Sequence, residues 1–222
     1  MITLHHLVQS RSNRIAWLLE ALQQPYQITV YQRDSKTYGA PESLKQVSPL
    51  GKAPVISDGE LVIAESGAII EYLIDNYDEQ QQFRPKDGQA LLDYRYWLHF
   101  AEGSMMPLLV MRLVLNKSLE KPMPFFAKPI IRKFVDGLNN MFIEPRIVPQ
   151  LQQVEQHLAK HTWFAGEQLS GADFQMMLVL QLAAQRCDMS PYSQIKRYMQ
   201  QIEKIESYQR AMKKLAAAEA GE

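Results

Sequence analysis

The spacing of apolar residues in this chain changes character once, near residue 80, and that change limits the possible folds more than any other feature. Before it, strand-like and helix-like runs alternate. "ITLHHLV" is a short β-type run, and "RSNRIAWLLEALQQ" then sets Ile15, Leu18, Leu19 and Leu22 on one helical face. "YQITVYQ" alternates Ile28 and Val30 with polar residues, and the polar stretch after it has room for one short helix. "APVIS" and "ELVIA" flank Asp58-Gly59, a hairpin signal expected to form a type I′ turn, and "ESGAIIEYLIDNY" puts Ile69, Ile70, Leu73 and Tyr77 on one stripe. The order β-α-β, short helix, β-β-α predicts two parallel strands joined by a right-handed crossover, with a hairpin adding two antiparallel strands. The expectation is a small mixed sheet with helices packed on it.

Beyond the change the strand pattern stops. "DEQQQFRPKDG" (78–88) is polar and carries Pro85 and Gly88, the composition of a linker. A long helix follows, expected to bend between Gly103 and Pro107. "GADFQMMLVLQLAAQRC" is apolar nearly all round, as a helix at a domain centre is. The alanine-rich end "AAAEAGE" is expected to fray. The predicted organisation is a mixed α/β domain over 1–79, a linker over 80–87 and an all-helical domain over 88–222.

Composition removes several classes of function. Lys plus Arg and Asp plus Glu number 24 each, whereas a general nucleic-acid binder needs a basic surplus. The single cysteine, Cys187, allows no intrachain disulfide and no Cys-x-x-Cys pair. "MITLHHLVQS" lacks the form of a signal peptide, and the longest apolar run, Met105 to Met111, is too short to span a bilayer. These features predict a soluble cytoplasmic protein without a nucleic-acid or membrane partner. His157 and His161 have the i, i+4 spacing that can clamp a metal, but no third ligand motif accompanies them, so no metal site is assigned.

Several local features invite chemistry. Pro54 stands in a strand, where it removes a ladder N–H; either it starts an edge strand or it turns the backbone of Ala53 outward. Glu65-Ser66 opens a helix, as a simple cap or as a pair of ligand-binding groups at a helix N-terminus. Ser10 ends a strand just before a helix, where free N–H groups stabilise an anion. Ser170 and Asp173 form an S-x-x-D capping box, which makes Asp173 structural despite its place in an apolar helix.

Four motifs together, "SRSNR" (10–14), "GKAPVI" (51–56), "ES" (65–66) and "SGAD" (170–173), resemble those of the cytosolic glutathione S-transferases. The match spans essentially the whole chain and looks most like the serine-type bacterial and fungal branch. The resemblance implies a thioredoxin-like N-terminal domain, an all-helical C-terminal domain and glutathione as co-substrate. Ser10, four residues before Arg14, would then donate a hydrogen bond to the glutathione thiolate, with Ser12 as its rival or assistant. Lowering the thiol pKa by one to two units corresponds to about 1.4–2.7 kcal/mol. Pro54 would be cis, so that Ala53 pairs with the cysteine backbone of glutathione like an added strand. Glu65 would bind the γ-glutamyl ammonium, Ser66 its carboxylate, and Lys52 the glycine carboxylate.

The electrophile side is placed by apolar content alone, on Met105, Met106 and Leu109. By resemblance the protein is a homodimer, with Glu102 reaching the partner's glutathione. The implied reaction is thiolate attack on a small hydrophobic electrophile. Glutathione-dependent disulfide reduction or peroxidase chemistry, and a non-catalytic binding role, are the alternatives.

Overall fold

A computed structural model describes residues 1–35 and 37–221. Strand β1 (Ile2–Leu7) runs through the centre of a four-stranded sheet of order β2-β1-β3-β4. It pairs parallel with β2 (Tyr26–Tyr31) and antiparallel with β3 (Val55–Asp58), which pairs antiparallel with the edge strand β4 (Leu61–Ala64). A central strand is covered on both faces, which is why nearly all of β1 is buried while β2 alternates. Helix α1 (Asn13–Ala21) makes the crossover between β1 and β2, and α2 (Glu42–Val47) is the predicted short helix.

The β3–β4 turn differs from expectation. Asp58 pairs with Leu61, so the two turn residues are Gly59 and Glu60, and only Gly59 has positive φ (+59°). That is the type II′ arrangement, with glycine at the first central position. Asp58 itself remains in the strand and accepts a hydrogen bond from Tyr72 Oη at 2.9 Å.

After α3 (Ser66–Tyr77) the chain reaches α4 (Gly88–Phe100), a π-helical turn (Ala101–Met105) and α5 (Met106–Ser118), which form one continuous helix. The predicted interruption is thus an inserted residue in an unbroken helix. By length and composition this 31-residue helix could cross a membrane. Within the fold it is a core helix, burying Tyr94, Trp97, Leu98, Met105, Met106 and Leu109.

Helices α6 (Ala127–Leu138), a second π turn (Asn139–Ile143), α7 (Glu144–Leu158), α8 (Gly171–Ala184), α9 (Ser193–Glu203) and α10 (Glu206–Ala220) complete the chain. Helix α8 is buried almost all round; Phe174 meets Trp17 of α1 at 4.4 Å between ring centroids and Phe83 at 5.4 Å. A side chain at Gly171 would lie 2.8 Å from Ile74 Cδ1 and Tyr94 Oη, so only glycine lets α8 start this close to α3 and α4. The chain end, expected to fray, is helical through Ala220, and Glu219 pairs with buried His6 at 2.7 Å; Glu222 lies outside the described residues.

Candidate functional site

Strand register brings three of the sequence motifs to one end of the sheet. His5 pairs with Val55, and Val55 pairs with Ala64. The next residue of each chain segment beyond these pairs is His6, Pro54 and Glu65, at the same end of the sheet. That end of β1 leads directly to Ser10. The Ala53–Pro54 peptide bond is cis, Pro54 is buried, and Ala53 is half-buried against Leu7, Tyr31 and Leu44. Among the described residues neither the N–H nor the C=O of Ala53 has a backbone partner. Lys52 is exposed.

The two serines before α1 occupy different environments. Ser10 is partly exposed and forms part of the wall of a cleft of about 1300 Å³ between the two domains. Ser12 is fully buried and is the N-cap residue, its carbonyl accepting from Ile15 and Ala16 at 3.0 Å. Their hydroxyls lie 2.7 Å apart, and the Ser12 N–H donates to Ser10 Oγ at 3.3 Å. Ser10 is therefore held from below while its other side faces the cleft. Gln9 just before it has φ +57°, a conformation unfavourable for a residue with a side chain.

Glu65 is the N-cap residue of α3 at φ 72°, ψ 121°, and its side chain caps nothing. Its exposed carboxylate has no hydrogen-bond or ion-pair partner among the described residues. Ser66 is buried and begins the helix, so the N–H groups of Ser66, Gly67 and Ala68 have no intrahelical partner. A strained residue and free donors at one helix start are what a ligand-binding turn requires.

Glu102 differs from expectation. It sits in the π turn and accepts a hydrogen bond from Arg14 Nη1 at 2.8 Å, with Arg11 Nε at 3.5 Å. It is thus engaged within its own chain. The same Arg14 nitrogen donates to Gln175 Oε1 of α8 at 2.6 Å. Arg14 is wholly enclosed, and burial, opposed by Glu102, lowers its pKa to about 10, so it remains charged at neutral pH. Its Nε and Nη2 have no partner among the described residues. In the sequence Arg14 served only to mark Ser10 four residues before it. The available signal was its place four residues before Leu18, on the buried face of α1.

Met105, Met106 and Leu109 also differ from expectation. All three are buried in the core and none lines the cleft beside Ser10. That cleft is walled by Leu113 and Lys117 of α5, Leu178 and Leu182 of α8, and Met199 of α9. Leu113, which does line it, stands four residues beyond Leu109 on the same helical face, so the two differ in position along α5 and not in the face they occupy. Asp173 is enclosed away from the cleft. Its carboxylate accepts from the Phe164 N–H (3.0 Å), the Ser170 N–H (2.8 Å), Ser170 Oγ (2.9 Å) and Tyr198 Oη (3.1 Å). Burial raises its pKa to about 6 against these bonds. His157 donates from Nε2 to the Phe164 carbonyl at 3.1 Å and stacks on that ring. Among the described residues no three His, Cys, Asp or Glu side chains cluster as a metal site.

A thioredoxin-like sheet carrying a cis-proline turn and a helix-start acid–hydroxyl pair, joined to an all-helical domain across a deep cleft, defines a class. The glutathione S-transferase N-terminal domain family matches residues 1–75, and the glutathione S-transferase C-terminal domain family matches 144–206. Glutathione S-transferase 3 of Schizosaccharomyces pombe is 41% identical over 202 residues, covering 90% of this chain and 81% of the relative. Glutathione S-transferase 1 of Saccharomyces cerevisiae is 31% identical over 226 residues, covering 98% and 96%. The crystal structure of a glutathione S-transferase from Actinobacillus pleuropneumoniae superposes with a TM-score of 0.79 at 38% identity, covering 96% of this chain and 92% of that one. The chain belongs to the glutathione S-transferase family and is a glutathione transferase.

Proposed function

We propose that the protein conjugates glutathione to small apolar electrophiles in the cytoplasm, with Ser10 as the thiolate partner. The observation that carries this reading is the contrast between the two serines: the Ser10 hydroxyl borders the cleft, whereas Ser12 is buried beneath it. Glutathione lies along the sheet end. Ala53 offers its free backbone N–H and C=O to the cysteinyl unit. Glu65 takes the ammonium, the Ser66 hydroxyl and the α3 N–H groups take the γ-glutamyl carboxylate, and Lys52 approaches the glycine carboxylate.

The thiol proton leaves to solvent, and Ser10 Oγ–H donates to the resulting sulfur anion. The Ser12 hydroxyl supports this by donating to Ser10 Oγ within the 2.7 Å pair, because the one Ser10 hydroxyl proton goes to the sulfur. The sulfur electron pair then forms the S–C bond. In a displacement the leaving group departs with its bonding pair; in an addition to an activated double bond, water supplies the proton to the adjacent carbon. The electrophile occupies the cleft against Leu113, Leu178, Leu182 and Met199.

The active form is a homodimer. Exposed Leu61 and Val62 on β4, with Leu92 and Tyr96 on α4, supply apolar surface for it; light scattering would reveal a monomer if this is wrong. The catalytic reading is tested by calorimetric glutathione binding and aryl-halide conjugation. Ser10→Ala is expected to retain binding and lose about 10- to 100-fold in kcat/KM. Unchanged turnover would transfer the role to Ser12. Disulfide reduction without conjugation would select the alternative chemistry.

A further inference from the structure

Helix α6 is attached to the body along a narrow line. Val135 is its one fully buried residue, with Ile131 and Leu138 half-buried beside it. A second apolar stripe faces solvent. Phe126, Ile130 and Phe134 follow at four-residue spacing, with Met141 seven further on, and each is 65–75% exposed. Phe125 stands next to this stripe at 88% exposure. The rest of the arm is basic: Lys128 and Arg132 lie opposite the stripe, Lys133 borders it, and Lys121 precedes the helix. Lys121, Lys128, Arg132 and Lys133 are all exposed, and none has an ion-pair partner among the described residues. Only Glu120 and Asp136 oppose them between 120 and 143, in a chain of zero net charge.

We propose that this arm, Lys121–Phe142, docks in the plane of an anionic membrane surface. An apolar stripe of phenylalanines and isoleucine with Lys133 at its border and further cations beyond it is the chemistry of an interfacial helix, whose stripe enters the acyl boundary while cations at its margin meet lipid phosphates. A second copy of the chain fits less well: a two-fold contact through this stripe would bring the unpaired cations of one copy toward those of the other. The stripe is one-sided and α6 has twelve residues, so the arm lies on the bilayer and does not span it. The arm also continues directly from Glu120, Lys121 and Pro122, which border the cleft containing Ser10. Docking therefore sets the cleft mouth against lipid, where apolar electrophiles concentrate. That consequence rests on the conjugation reading; the docking does not.

The test is flotation of the purified full-length protein, without glutathione, with vesicles of phosphatidylcholine alone and of about 70:30 phosphatidylcholine to phosphatidylserine. Binding is expected to be about tenfold or more stronger to the anionic vesicles and to weaken as salt rises. Ile130→Ser/Phe134→Ser is expected to lower binding about tenfold or more, with melting temperature and glutathione affinity as checks on folding. Lys128→Glu/Arg132→Glu, at exposed positions, is expected to remove only the preference for anionic vesicles. No binding to either vesicle, or equal binding by both variants and the wild type, would overturn the proposal. So would an Ile130→Ser/Phe134→Ser protein that changes from dimer to monomer while floating as before; a second copy would then be the occupant of the stripe.

Discussion

Two helices in this molecule begin with a serine and an acid, and the two pairs are built in opposite ways. At the start of α8, Ser170 caps in extended geometry and Asp173 accepts four hydrogen bonds in complete burial. At the start of α3, Glu65 is held at φ 72° with an exposed carboxylate that caps nothing, and the helix N–H groups behind it are free. The first pair is complete within the protein. The second bears strain with no hydrogen bond inside the protein to offset it, and that imbalance is what motivates the proposal that Glu65 meets a ligand. Residue type alone does not separate structural from functional acids; the number of partners each already has does.

That contrast can be broken first at Asp173. Asp173→Ala strands the Phe164 and Ser170 N–H groups and the Tyr198 hydroxyl, and is expected to cost about 3–5 kcal/mol in chemical denaturation. Turnover per folded molecule should not change. A folded variant with normal stability and lost turnover would reverse the assignment. The carboxyl also predicts a pH signature. Its folded pKa of about 6 lies above the ordinary 3.8, so the folded state holds the proton more tightly between those values. Its contribution to stability is therefore greatest below about pH 4 and is lost as pH rises through about 6, by about 3 kcal/mol. Denaturation of wild type and Asp173→Asn at pH 4 and 7 reads this directly: the wild-type advantage should shrink at the higher pH.

Glu65 should behave oppositely. Glu65→Gln is expected to leave stability unchanged and weaken glutathione binding about 10- to 100-fold, the loss of a charge-assisted contact of about 1.4–2.7 kcal/mol. Glu65→Gly, the smallest effect, should raise stability by about 1 kcal/mol through relief of backbone strain while also losing affinity. A destabilised Glu65→Gly protein would mean that the side chain supports the fold.

The sequence carried the architecture well because period and turn signals are local: the strand–helix order, the hairpin and the Ser170–Asp173 box all depend on neighbours a few residues apart. It carried the long-range pairings poorly. Glu102 meets Arg14 across 88 positions, and nothing near either residue announces the other. Met105, Met106 and Leu109 failed as pocket residues because an apolar helical stripe has the same pattern whether it meets a core or a substrate. Helix α8 was legible as buried all round, and that reading concealed the edge where Leu178 and Leu182 border the cleft.

The central claim is that Ser10, at the cleft, holds the glutathione sulfur as an anion. Ultraviolet titration of the thiolate in the enzyme–glutathione complex measures this without any electrophile. In wild type the thiol pKa should lie about one to two units below that of free glutathione, and Ser10→Ala should return it toward the free value while Ser12→Ala should move it less. An unshifted thiol in the wild-type complex, or a Ser10→Ala complex with the wild-type pKa, would contradict the account.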